Sequence, residues 1–346
     1  MIGTIYDVGI DCLTATVSKA RMPVAERCAG LISEKKAVRL AQNTGFTKLS
    51  VVPSGVCTSD LCVEAAERLF ADGANKDEIG AIIFISQTPD YPAPATSYII
   101  QNRLGLSANV MAFDISLGCS GFVYGVYVAA SMLSNMDKKV LLLVGDIVQD
   151  FMPGTITGRA ISGAAGAAAI IGRRSPELGR RLDYNITSHG DKYHILMMPR
   201  GGGRAPKITN AEGELLPIED NFSVMDGAEV MNFSAYETYE NICALMQSIG
   251  LDVRDIEAAY LHQANLAIVD ALREKLGLSE SNAPFASGEV GNTSSATIPV
   301  CMAELKRLGK YAPAKKALLS GFGIGMSVAS MVMDLSETKI LETGAL

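Results

Sequence analysis

The chain has 346 residues, 48% apolar and 19% charged, which is enough for two core-bearing units and too apolar for disorder. A net charge of −7 and an isoelectric point near 5.2 argue against nucleic acid or an anionic membrane surface as partner of the whole chain. Every apolar run is broken before roughly 18 residues, and the start lacks a basic region and cleavage site, so a cytoplasmic protein is expected.

Seven cysteines at irregular spacing, with no CxxC, suggest neither a disulfide framework nor a zinc site. Cys12, Cys28, Cys57, Cys62, Cys243 and Cys301 read as small core or surface residues. Along the chain, Thr58–Asp72 places Cys62, Ala65, Ala66, Leu69 and Phe70 on one helical face, and Gly73 stops it. Gly80–Ser86 and Val140–Val144 are short, continuous apolar runs, as in strands buried on both faces. Strands alternating with helices predict an α/β fold.

Between those strands, Gly118-Cys119-Ser120-Gly121 precedes a helical pattern over Phe122–Leu133. The glycines permit a sharp turn of the nucleophile-elbow kind. A cysteine at a helix N-terminus is expected to have a lowered pKa and to react as thiolate. His189 and His194 fall in polar loop sequence and are given no role. Gly201–Gly203, with Arg200, Arg204 and Lys207, reads as a flexible basic loop.

His262 closes a strand-like run at Ala258, ahead of a helix over Leu266–Leu276. Open α/β sheets place ligands at such carboxyl ends. Gly291-Asn292-Thr293-Ser294-Ser295 reads as a turn and helix cap. Gly321-Phe322-Gly323-Ile324-Gly325 follows a buried strand; with no GK[ST] and no acidic partner, it suggests a backbone N–H aimed at a site, not a phosphate loop.

The halves resemble each other. Asp77–Ser86 matches Arg254–Gln263, and Lys138–Asp146 matches Lys315–Gly323 at the same displacement. The Cys119 and Asn292 turns fall between these anchors. Two copies of one strand–helix unit are therefore expected, 1–175 carrying Cys119 and 176–346 carrying His262 and Asn292. Packed about a pseudo-twofold axis, two helix N-termini would face a common centre.

GCSGF, HQAN, GNTSSATIP and GFGIG, in this order, resemble the β-ketoacyl-acyl carrier protein synthase III family of the thiolase superfamily. The resemblance runs with gaps from Ile10 to Asp334. It implies a five-layer αβαβα fold of two duplicated halves, a homodimer, no cofactor or metal, and a role in fatty acid, lipid or polyketide biosynthesis. It implies that Cys119 takes an acyl group from an acyl-CoA or acyl-carrier primer. A malonyl thioester, on acyl carrier protein, then decarboxylates with His262 and Asn292 on its thioester oxygen, and the product is a 3-oxoacyl thioester. The amides of Cys119 and Ile324 are implied as the second oxyanion hole, with Phe322 and Ala93 at the acyl pocket. Acyl transfer to an alcohol or amine, or a non-catalytic partner subunit, are the competing readings on this scaffold.

Departures from the family pattern are visible. Ile324 stands where glycine or alanine is usual, and Leu266-Ala267 replaces a basic carrier contact. The CoA-gripping Trp/Arg segment is not recognisable in Gln42–Pro53. The usual Asp-Arg and Gly-Asp appear as Gly158-Arg159 and Gly163-Ala164-Ala165-Gly166. Ala93 falls where a bulky residue often closes the acyl pocket across the dimer, which predicts primers longer than acetyl.

Overall fold

The computed structural model describes residues 1–150, 156–178, 180–199, 202–204 and 224–346. Arg200, Gly201 and Lys207 of the expected basic loop lie outside them, while Gly202, Gly203 and Arg204 are exposed.

Two sheets form the body. In the first, Ile79–Ile85 lies parallel between Met111–Ile115 and Lys139–Ile147; Ala164–Arg173 and Val8–Val17 follow antiparallel. In the second, Ala258–Leu261 lies parallel to Ala317–Gly323, and Ser327–Met333 and Arg181–Ser188 follow antiparallel. Apart from Met111–Ile115, which has no counterpart among the described strands of the second sheet, order and direction of these strands are the same in both. The chain ends cross over. Ile2–Tyr6 joins the second sheet, whereas Lys339–Ile340 and Gly344–Ala345 join the first.

Apolar patterning decides the layering. Both faces of the central strands are apolar, so both must be covered. Helices Gly121–Leu133 and Thr297–Arg307 fill the space between the sheets, packing Phe122, Val126, Val300 and Met302 into one core. Thr58–Ala71 covers the outer face of the first sheet, with Cys62, Ala65 and Leu69 inward as the periodicity predicts. Gly227–Ile249 and Leu266–Leu276 cover the second. The result is the five-layer thiolase fold.

Helix ends follow local chemistry. Asp60 accepts from the Cys57 N–H at 2.7 Å and so closes the start of Thr58–Ala71. Asn265, the last residue of HQAN, caps Leu266–Leu276 by accepting from the Ile268 N–H at 3.0 Å.

Candidate active site

Strand register brings the separated motifs together. Leu261 pairs with Ser320, so His262 leaves its strand beside Gly321, and its N–H donates to the Ser320 carbonyl at 2.8 Å. Asn292 is stitched by its backbone to the first half: its N–H donates to the Ile161 carbonyl at 2.7 Å, and its carbonyl accepts from Gly163 at 2.9 Å. Cys119 sits in the turn before Gly121–Leu133, which the Gly121 N–H closes onto the Gly118 carbonyl at 2.7 Å. Cys119, His262 and Asn292 all line one cavity of about 260 Å³, together with Ser294, Phe322 and Ile324.

Two glycines make room for the nucleophile and its neighbour. Gly323 has φ +147, and a Cβ there would lie 2.8 Å from Cys119 Cβ and 2.9 Å from its Sγ. At Gly118 a Cβ would fall 2.6 Å from Ile324 Cγ2, so the absent side chain is where the bulk of Ile324 fits.

The thiol departs from the helix-terminus expectation. The Cys119 pKa is pushed up to about 11, chiefly by burial, with the nearby Asp146 carboxylate acting in the same direction. The Ser294 hydroxyl, 3.9 Å from Sγ, and the backbone N–H groups of Ile324 and Cys119 act in the opposite direction without overcoming desolvation. Cys119 keeps some exposure at the cavity wall, yet its sulfur is enclosed tightly enough that the protonated form holds at neutral pH. The helix argument was local; desolvation by the whole site outweighs it.

His262 is buried, and desolvation holds its pKa down to about 3, so the ring is neutral. Its Nδ1 lies 2.6 Å from the Thr297 hydroxyl, which also lies 3.1 Å from the Ser294 carbonyl. A carbonyl can only accept, and threonine has one proton to give. Both contacts are hydrogen bonds only when Nδ1–H donates to Thr297 and Thr297 donates to Ser294. That assignment leaves Nε2 as an acceptor. The Phe322 ring packs edge-on against the imidazole with centroids 5.3 Å apart, fixing its plane.

Asn292 Oδ1 accepts from the Ser294 N–H at 2.9 Å, which fixes the orientation of the carboxamide and leaves Nδ2 as its donor. Gln263, between His262 and the capping asparagine, is buried and braces the loop: Nε2 donates to the Leu261 carbonyl at 2.8 Å, and Oε1 accepts from Ala286 at 3.0 Å. Away from the polar cluster the wall is apolar, formed by Val148, Ile161, Met225, Val230, Met231 and Ile268.

Phe322 lines the cavity, but Ala93 belongs to a different surface cleft with Tyr91 and Asp114. His189 is half-buried against Phe233 and Glu237, and His194 stands by Tyr193; neither lines the cavity. Among the described residues no cluster of His, Cys, Asp and Glu could hold a metal ion, and no helix is long and apolar enough to cross a membrane. Asp146, Thr297 and Gln263 were not singled out from sequence.

Residues 113–190 match the family profile described as 3-oxoacyl-[acyl-carrier-protein (ACP)] synthase III, and 246–335 match its C-terminal profile. The chain is 31% identical to the β-ketoacyl-[acyl-carrier-protein] synthase III of Clostridium tetani, over 84% of this chain and 87% of that protein. It is also 31% identical to the enzyme of that name from Caldanaerobacter subterraneus, over 86% and 89%. The crystal structure of 3-oxoacyl-(acyl-carrier protein) synthase from Burkholderia xenovorans superposes with a TM-score of 0.91 at 27% identity, covering 100% of this chain and 99% of that one.

Proposed function

Because the chain belongs to the 3-oxoacyl-[acyl-carrier-protein] synthase III family, and is an acyltransferase making 3-oxoacyl products by Claisen condensation, we propose the following roles for its residues. Cys119 carries the acyl group, and His262 and Asn292 serve the malonyl thioester. The observation that carries this reading is the convergence of thiol, imidazole and carboxamide on one cavity.

In acylation, the Cys119 S–H gives its proton to His262 Nε2 as sulfur attacks the primer thioester. The carbonyl oxygen becomes an oxyanion between the amides of Cys119 and Ile324, both of which lie against the sulfur. The carbonyl re-forms as the leaving thiolate departs. The low basicity of His262 means that the buried cation needs an anion beside it: the oxyanion and leaving thiolate during acylation, then the malonyl carboxylate that replaces them.

In condensation, protonated Nε2 and Asn292 Nδ2 both donate to the thioester oxygen of the malonyl unit. The C–C bond to its carboxylate breaks, CO2 leaves, and the electron pair rests on that oxygen as an enolate. The enolate carbon attacks the acyl-Cys119 carbonyl, and the C–S bond then breaks to release the 3-oxoacyl thioester. Cys119 leaves as thiolate and recovers the proton from His262. Asn292 is thus a neutral donor throughout, while His262 donates only after it has accepted.

The apolar wall suits the arm and alkyl chain of a thioester. The primer comes on CoA or a carrier and the malonyl unit on acyl carrier protein, in the cytoplasm. The protein is a homodimer: Met111–Ile115 is an open edge of the first sheet with Met111 58% exposed, a site for a second copy to extend the sheet. Across that interface Ala93 would complete the acyl pocket and admit primers longer than acetyl. The matching strand order supports two duplicated halves, 1–175 and 176–346.

Intact mass after mixing with an acyl-CoA series tests the reading. An adduct on the wild type that is absent in Cys119→Ser, and that discharges with CO2 release on adding malonyl carrier protein, is the expected result. Discharge to alcohols or amines without malonyl consumption would replace condensation by simple acyl transfer, and no adduct with any thioester would remove catalysis.

A further inference from the structure

Asp146 takes no part in the steps above, yet among the described residues it is the one carboxylate lining the cavity. It lies in the carboxyl end of the Lys139–Ile147 strand and is 1% exposed. Oδ1 accepts from the Gln87 N–H at 2.7 Å and from the Ser86 and Thr88 hydroxyls at 3.1 and 3.4 Å. Oδ2 accepts from the Ser295 hydroxyl at 2.8 Å and the Ser295 N–H at 3.2 Å. Each oxygen therefore meets a backbone N–H, a group that can only donate, and the two N–H groups belong to different halves of the molecule.

We propose that Asp146 is a positioning residue that clamps the Asn292–Ser295 turn onto the Cys119-bearing half and thereby sets where the Asn292 carboxamide points. The turn needs such a clamp. Ser294 holds φ 52, a left-handed conformation that a non-glycine residue keeps only when its surroundings fix it. Asn292 Oδ1 fixes it from one side through the Ser294 N–H, and Asp146 fixes it from the other through Ser295. Orientation of a charge-stabilising donor is demanding, so slack in this turn costs the enolate step, where Asn292 itself donates, more than attack by sulfur, which the turn reaches only through the Ser294 carbonyl and Thr297.

This inference rests on the role given to Asn292, and the experiment keeps the two apart. In Asp146→Asn the charge is lost and an amide N–H2 faces a backbone donor. Malonyl decarboxylation is expected to fall on the order of 10²-fold, while Cys119 acylation by acyl-CoA persists. Burial raises the Asp146 pKa and its backbone donors oppose that; removing the charge moves titration of Cys119 by iodoacetamide to lower pH, and Ser295→Ala, which loosens the same turn but keeps the charge, separates this from water entering a loosened site. Ser295→Ala, which removes one donor and no charge, gives a smaller loss of decarboxylation without moving the thiol titration, and serves if Asp146→Asn does not fold. Equal loss of both half-reactions, or unchanged decarboxylation in both variants, overturns the clamp. A wild type that acylates but never decarboxylates malonyl thioester sinks the role of Asn292 instead.

Discussion

Two strands end at the cavity, Lys139–Ile147 in the first sheet and Ala317–Gly323 in the second, and the internal repeat aligns Asp146 of one with Gly323 of the other. The matching positions solve opposite problems. Gly323 gives up its side chain so that Cys119, from the other half, can stand within contact distance. Asp146 sends its side chain outward to hold a turn that also belongs to the other half. A near-symmetric frame thus becomes an active site by asymmetric use of equivalent places: one strand end vacates space for the nucleophile, the other restrains the donor.

The sharpest test of this division is Asn292→Asp, which replaces a neutral donor with an anion where negative charge develops. Decarboxylation is expected to fall about 10²–10³-fold with acylation near wild type, read by CO2 release and intact mass. Gly323→Ala should fall on the other side of the comparison. Its added methyl meets Cys119 and its φ resists a side chain, so acylation drops on the order of 10²-fold; retained acylation would mean the close approach is irrelevant.

Thr297→Val frees the His262 tautomer that the hydroxyl fixes. The fraction of rings with an accepting Nε2 falls, and acylation at neutral pH drops roughly tenfold. The deficit narrows as pH rises toward about 11, because Cys119 then loses its proton to solvent without help; a pH-independent deficit contradicts the base role. Smallest is Ser120→Ala. Its hydroxyl meets Ser327 Oγ at 2.8 Å beneath the elbow, joining the halves away from the chemistry. Urea unfolding should show a loss of about 1 kcal/mol with both half-reactions unaltered.

Much of this was legible in the residues. The helix over Thr58–Ala71 announces itself by its period and its Gly73 stop, and the buried strands by unbroken apolar runs. Cys119, His262 and Asn292 sit in short motifs that can be read in order along the chain. What escaped depends on contacts remote along the chain. Asp146 has partners at Ser86–Thr88 and Ser295, and its only local signal is a carboxylate following the apolar run Val140–Val144, where burial demands donors. The thiol was misjudged for the same reason, since a helix end is read locally and desolvation is made by the whole enclosure.

The crossing of the chain ends carries a consequence for how the molecule assembles. Thr16 and Val17 acquire their outermost partners only from Gly344 and Ala345, while Ile2–Tyr6 waits for Arg181–Ser188. During synthesis the first sheet therefore remains unfinished until Gly344 and Ala345 have emerged from the ribosome, and contacts of such long sequence separation form slowly. Deleting the last few residues would strip an edge from the sheet that carries the Cys119 half, a penalty felt in refolding yield well before it is felt in chemistry.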